Sequence, residues 1–156
     1  MTDTPYIREG NIRTIEEIMP VMQTAFDPAF GEAWTADQSA GFLTLPGSIL
    51  FVSDANNIVS GFALARYVFE EAELLLIAVH PDHQGQGIGK LLIRKIIDWS
   101  KNNGVKTLFL EVRSENQALE LYLHSGFVKI GTRKDYYRGQ SGEYHDAITL
   151  RLDINV

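Results

Sequence analysis

Between residues 74 and 90 the chain reads Leu-Leu-Leu-Ile-Ala-Val-His-Pro-Asp-His-Gln-Gly-Gln-Gly-Ile-Gly-Lys. An apolar run stops at Val79, a polar turn follows, and three alternating glycines (Gly85, Gly87, Gly89) lead into a helical pattern. Glycine allows backbone to approach a ligand closely, and the free N–H groups of a helix start attract anions. The segment therefore predicts a strand, a turn shaped to cradle phosphate, and a helix. A strand feeding a helix in this way also commits the chain to a sheet with a crossover connection.

The flanking pattern extends that picture. Ile15, Ile18, Met19 and Met22 recur at helical spacing across Ile12–Phe26, after a possible cap at Asn11 or Thr14, and Asp27-Pro28 breaks the run. A second short helix follows Thr35. Strands are expected at 49–53, 59–67 and 72–79, the last apolar enough to be covered on both faces. The helix after the glycines carries Ile88, Leu91, Leu92, Ile96 and Trp99 on one stripe and closes at Asn103-Gly104. A strand at 107–112, a short helix at 118–124 and strands at 127–132 and 147–152 complete the order. The expectation is a three-layer α/β architecture, a mixed twisted sheet flanked by helices, with a right-handed crossover between strands 74–79 and 107–112.

At 156 residues the chain reads as a single domain, 1–156, with enough length to bury a core without staples. Cysteine is absent, which removes disulfides, thiolate metal sites and a cysteine acyl-enzyme. Met1-Thr-Asp-Thr-Pro-Tyr6 has neither the basic nor the apolar stretch of a secretory signal, and the apolar runs are too short to span a bilayer. A soluble cytoplasmic chain with no membrane partner is expected. A formal net charge of −6 argues against a broad electrostatic grip on nucleic acid.

Two familiar phosphate motifs fail on spacing. A Walker A loop would end acceptably at Gly89-Lys90, but position 84 is Gln and position 91 is Leu. A dinucleotide fingerprint starting at Gly85 needs its third glycine at 90, where Lys sits, and His80–Gln84 separate it from the strand. What fits is Gln84-Gly-Gln-Gly-Ile-Gly89, which resembles the Gln/Arg-x-x-Gly-x-Gly/Ala loop of the GNAT acetyltransferase superfamily. Ile77-Ala-Val-His-Pro-Asp-His and Leu121-Tyr-Leu-His-Ser-Gly-Phe127 match further elements of that family. Within it the chain looks most like the ribosomal-protein-alanine N-acetyltransferases (the RimI type). Phe30-Gly-Glu-Ala-Trp34-Thr35, Leu108-Phe-Leu-Glu111-Val-Arg113 and Arg133-Lys-Asp-Tyr136-Tyr137 carry that finer likeness.

The resemblance implies the GNAT acyl-CoA N-acyltransferase fold and acetyl-CoA as cosubstrate, with no metal. Gln84, Gly85, Gln86, Gly87, Ile88, Gly89 and Lys90 would wrap the diphosphate. The backbone of Ile77, Ala78 and Val79 would pair with the pantetheine arm, and Asn116 and Tyr122 would complete the cofactor contacts. Glu111 would be the base and Tyr122 the acid that protonates the leaving thiolate; Trp34, Tyr136 and Tyr137 would line the acceptor groove. The implied acceptor is a protein or peptide N-terminus, that of a ribosomal protein. An α-amine, with a pKa near 8 against about 10.4 for lysine, needs the least help to lose its proton. A small-molecule amine as acceptor and a non-catalytic acyl-CoA sensor are the alternatives.

One departure bears on Asn116, which stands six residues before Tyr122 where relatives place seven. If the missing residue is absorbed in the turn, Tyr122 keeps its place and Asn116 is the doubtful contact. His80, Asp82 and His83 read as a solvated turn rather than a metal site, because no further ligand cluster accompanies them. Glu70, Glu71 and Glu73 read as a solvated charged strand end, with steering of a basic substrate as the alternative.

Overall fold

The computed structural model describes residues 5–154, which fold around one seven-stranded sheet in the order β1-β2-β3-β4-β5-β7-β6. The strands are β1 (Tyr6–Glu9), β2 (Ser48–Ala55), β3 (Ile58–Val68), β4 (Glu71–Val79), β5 (Thr107–Arg113), β6 (Val128–Arg138) and β7 (Tyr144–Asp153). The helices are α1 (Ile15–Ala25), α2 (Ala36–Leu43), α3 (Ile88–Asn102) and α4 (Ala118–His124). Neighbouring strands run antiparallel except β4 and β5, which are parallel and joined through α3. The mixed sheet and its crossover follow the sequence pattern.

Local signals place the helices. Asn11 caps a short 3-10 turn at Ile12–Thr14 through its side chain, and α1 follows directly. Thr35 and Gln38 form a reciprocal capping box at the start of α2. Gly104, at φ +72°, ends α3 in the left-handed conformation that glycine adopts without strain.

Two cores lie on opposite faces of the sheet. On one face α3 buries Ile88, Leu92, Ile93 and Ile96 against Ala63, Leu74, Leu108, Leu110 and Leu150. On the other, α1 buries Ile15, Ile18, Val21 and Met22 against Leu50, Val52, Phe62, Leu64, Leu76 and Ala78. This second core takes strand residues from β2, β3 and β4 alone. The same face of β5, β7 and β6 is left without a helical cover.

An irregularity in β4 decides where the sheet opens. Leu64 pairs with Leu76 and Ala65 with Leu74, so Leu75 is an extra residue in the ladder. Side chains alternate strictly along a strand, and one inserted residue therefore reverses their sense. Ala72 and Leu74 face the α3 core, whereas Leu76 and Ala78 face the α1 core. At the same level the β4–β5 pairing stops: the ladder runs from Glu71↔Thr107 to Leu74↔Leu110 and goes no further.

The structure departs from the sequence expectation at the sheet's edges. β1 was not signalled, because Tyr-Ile-Arg-Glu is a four-residue, half-polar edge strand fixed by pairing with β2. β6 runs on through Arg133–Arg138, past the expected end at 132, with irregularities between Lys129 and Gly131 and between Arg133 and Tyr137. Asp135 sits there at φ +56° and donates its backbone N–H to Asp146 Oδ1 (3.0 Å). A bulged edge strand breaks the two-residue alternation that makes a strand readable. Among the described residues, no helix is long and apolar enough to cross a membrane.

Phe62 is fully buried at the centre of the α1 core. Phe62→Ala should cost about 3–5 kcal/mol of unfolding free energy, read as a lower denaturation midpoint at unchanged slope.

Candidate functional site

Where β4 and β5 part, a cleft of about 1090 Å³ opens. It is lined by Leu74–Val79 of β4, by the loop and first turn of α3, by Glu111–Arg113 of β5, by Tyr122 of α4 and by Phe30, Glu32 and Trp34 from the segment between α1 and α2. Beyond Leu74 the main chain of β4 has no strand partner on the β5 side, so an extended ligand can hydrogen-bond along it.

The glycine loop supplies one end. His80 Nδ1 accepts the Asp82 backbone N–H and so shapes the turn, and Gln84 reaches back to donate its amide to the Val79 carbonyl (3.2 Å). Gly87, at φ +82°, is the N-cap of α3 and offers no side-chain cap. The first-turn N–H groups of a fifteen-residue helix therefore face the cleft uncapped, together with the positive end of its dipole. Gly89 lets α4 pack closely on α3: an added Cβ would stand 2.9 Å from Leu121 Cδ2, so the tip of Leu121 would have to shift to admit a side chain there. Of the residues expected at the cofactor, Ile77, Ala78, Val79, Gln84, Gly85, Gly87, Ile88, Gly89, Lys90, Asn116 and Tyr122 all line the cleft; Gln86 does not.

Glu111 and Tyr122 stand in the same cleft. The Glu111 side chain is 16% exposed, its Oε1 takes Arg133 Nε at 3.0 Å, and the Thr149 hydroxyl opposite it on β7 lies 3.5 Å away. Tyr122 packs edge-on to Phe127 with ring centroids 6.0 Å apart, which fixes its ring while its edge meets the cleft. Burial, and after it the charge of Glu32, pushes the Tyr122 phenol far above its ordinary value. It stays a neutral donor across the physiological range. Tyr137 is pushed up in the same way, by burial and then by the nearby Glu32 and Glu111. Trp34, Tyr136 and Tyr137 line the cleft as well; Trp34 packs edge-on to Phe42 (5.4 Å) and Tyr136 on Tyr137 (5.1 Å).

Asn116 is engaged within the protein. Its Oδ1 accepts the Ala118 backbone N–H (2.8 Å), closing the first turn of α4, and its Nδ2 donates to Glu32 Oε2 (3.3 Å). Glu32 in turn takes Arg113 Nε at 3.1 Å, with both side chains about 10% exposed. The Arg113 guanidinium also stacks 3.6 Å from the Phe30 ring centroid and donates to Glu115 (3.0 Å). His145 packs edge-on with Phe30 (5.0 Å) and leaves its Nε2 buried without a hydrogen-bond partner. This cluster straps the 27–34 segment to the end of β5. Two close backbone approaches strap it to the β6–β7 hairpin: a Cβ on Gly31 would lie 2.7 Å from the Arg138 carbonyl oxygen, and one on Gly139 would overlap the Ala29 carbonyl.

Sequence reasoning missed Glu32, Arg113, Glu115 and His145 as a working group. Glu32 and Arg113 are 81 residues apart, and no local spacing signals a pair made only by tertiary contact. Glu73 is exposed, as a strand-end carboxylate is expected to be, but the paired rung Glu73↔Phe109 puts it on the uncovered face, where it also lines the cleft. Burial, then the charge of Glu111, raises the Glu73 carboxyl above the usual range, with Arg133 opposing. Among the described residues there is no group of three or more metal-ligating side chains.

Known proteins are similar to this chain in sequence and fold. The acetyltransferase (GNAT) family model matches residues 15–127. A ribosomal protein bS18-alanine N-acetyltransferase of Haemophilus influenzae is 45% identical over 95 residues, 61% of this chain and 65% of that protein. Its Escherichia coli counterpart is 41% identical over 102 residues, 65% and 68% of the two chains. The crystal structure of the ribosomal-protein-alanine N-acetyltransferase from Escherichia coli superposes with a TM-score of 0.88 at 32% identity, covering 98% of this chain and 96% of that one. A putative acetyltransferase from Salmonella typhimurium, solved with its cofactor acetyl-CoA, shares the fold at 21% identity and a TM-score of 0.81, over 99% and 96% of the two chains.

Removing one partner of a buried ion pair strands the other charge. Arg113→Gln should therefore cost on the order of 3 kcal/mol of stability, read by denaturant unfolding, whereas a change at the exposed Arg151–Asp153 pair should be near neutral.

Proposed function

Because this chain belongs to the GNAT family of acetyltransferases, we propose that it moves an acetyl group from acetyl-CoA to the α-amine at a protein N-terminus, that of a ribosomal protein, by direct transfer in a ternary complex. The observation that carries the reading is the cleft itself. An uncapped helix start stands at one end of an unpaired β4 edge, and a carboxylate and a neutral phenol stand along its walls. The matched relatives named for bS18-alanine acetylation support the acceptor, and they are matched over about two thirds of their length.

In this reading the first-turn amides of α3 take the diphosphate, and the 75–79 edge aligns the pantetheine arm as an added strand. Acetyl-CoA supplies an activated acyl group on sulfur. Glu111 accepts a proton from the acceptor ammonium, so that the neutral amine attacks; an amine with a pKa near 8 gives that proton up readily. Tyr122 donates to the departing thiolate. The acceptor loses two protons in all: one leaves through Glu111 to water, and the other replaces the proton that Tyr122 gives to sulfur. Trp34, Tyr136 and Tyr137 form the apolar surface on which the acceptor's first residues lie. The uncovered face of β5, β7 and β6 gives an extended peptide room to enter.

Isothermal titration should show one acetyl-CoA site per chain, lost when Gly87 is replaced by a side chain that cannot hold its backbone. Tyr122→Phe keeps the ring and removes the donor, so kcat should fall by about 100-fold or more while KM for acetyl-CoA changes little. Mass spectrometry of ribosomal proteins from cells with and without the gene should show one N-terminal acetyl mark lost. If every N-terminus is unchanged and a polyamine or amino acid is acetylated instead, the acceptor is a small amine. Saturable binding with no thiol released to any amine would mark a sensor.

A further inference from the structure

The uncovered face of the sheet carries a charge arrangement that the acetyl-transfer reading leaves unused. Glu73 pairs with Phe109 across β4 and β5, and Glu111 follows Phe109 by two residues, so both carboxylates stand on one face of neighbouring parallel strands. Both line the cleft. Arg133 reaches over from β6 and places its Nε 3.0 Å from Glu111 Oε1, above the Tyr136 ring. Arg66, directly across from Glu73 on β3, commits its Nε to the Pro46 carbonyl (3.0 Å). Tyr136 and Tyr137 are the further titratable groups that β6 brings to this part of the cleft, and β7 presents the uncharged Thr149 there. Arg133 is thus bonded to Glu111, while Glu73 stands on the same face one strand away without a salt bridge to it.

A carboxylate ion-paired to arginine holds a proton weakly and makes a poor base. A second negative charge beside the pair offsets the arginine. We propose that Glu73 is a positioning residue for the acceptor end of the site: its charge opposes that of Arg133 at Glu111, the carboxylate that takes the acceptor's proton. This rests on Glu111 being the base, and it identifies the pair of side chains that sets the base's strength. Burial first, and then the charge of Glu111, raises the Glu73 carboxyl above its ordinary value, with Arg133 opposing. Neither charge acts on the acetyl group. They act through Glu111.

The test compares Glu73→Gln, Arg133→Gln, the double substitution and Glu73→Asp with the parent. Two readouts are taken: the pH profile of kcat/KM with acetyl-CoA and a ribosomal N-terminal peptide, and the pH titration of 13C-labelled glutamate carboxyls in the free protein. The acceptor's own ionisation is common to every variant, so differences report the enzyme. Glu73→Gln should move the acidic limb to lower pH by about half a unit to one unit and lower the plateau. Arg133→Gln should move the limb to higher pH by a similar amount, the double substitution should return it close to the parent, and Glu73→Asp should keep it there. The Glu111 carboxyl should follow the same directions in the free protein. Carboxyl titrations of Glu73→Gln and Arg133→Gln that superpose on the parent would overturn the proposal, whatever the rates. If Glu111→Gln proves fully active, the assignment of Glu111 as base fails. The carboxyl titration then still decides whether Glu73 and Arg133 oppose one another at Glu111.

Discussion

The parting of β4 from β5 is the constraint on which the rest of the molecule depends. Inserting Leu75 reverses the sense of β4's side chains and ends its pairing at Leu74, within a strand that remains apolar on both faces. Backbone amides and carbonyls that a continuous sheet would consume are left facing a gap. An unpaired strand edge is normally a liability that proteins cover. Here α3, α4 and the 27–34 segment surround it, so the edge is reachable by a ligand of the right width and shielded from another chain.

The walls of the gap are held by interactions of very different kinds. On the donor side they are packing and dipole: a helix start without a side-chain cap, and an α3–α4 contact in which Leu121 fills the space beside Gly89. On the acceptor side they are ionic and aromatic, built from Glu32, Arg113, Phe30 and His145, with the β6–β7 hairpin pressed against Ala29 and Gly31. Such a buried charged network is costly to desolvate, and its value lies in fixing one geometry rather than in raw stability. The loop it fixes also places Trp34.

What could be read in the sequence was what is written locally. The glycine spacing, the amphipathic stripes of α1 and α3, the apolar β4 and the Leu-Tyr-x-x-x-Gly-Phe element each lie within one stretch of chain. They led to the crossover between β4 and β5 and, through the family likeness, to many of the residues that line the cleft. The bulge at Leu75 was invisible because Leu-Leu-Leu-Ile is apolar in either register, so no alternation exists to be broken. Glu32 and Arg113 were quoted only as parts of a likeness, since their pairing spans 81 residues. Glu70, Glu71 and Glu73 look alike in the sequence; only the rung opposite Phe109 shows that Glu73, though exposed, stands on the face that carries the cleft. Asn116 shows the reverse: the shortened spacing flagged it, and its amide is committed to Glu32 and to the start of α4.

The missing side chain at position 89 joins two tasks that a diagram would draw apart. Leu121 rests where that side chain would be, and Tyr122 is the next residue along. The turn that would hold the nucleotide end of a donor is thus the floor on which the phenol's helix stands. Loosening one should misalign the other, so selection cannot adjust affinity for the donor and proton delivery to sulfur as separate dials.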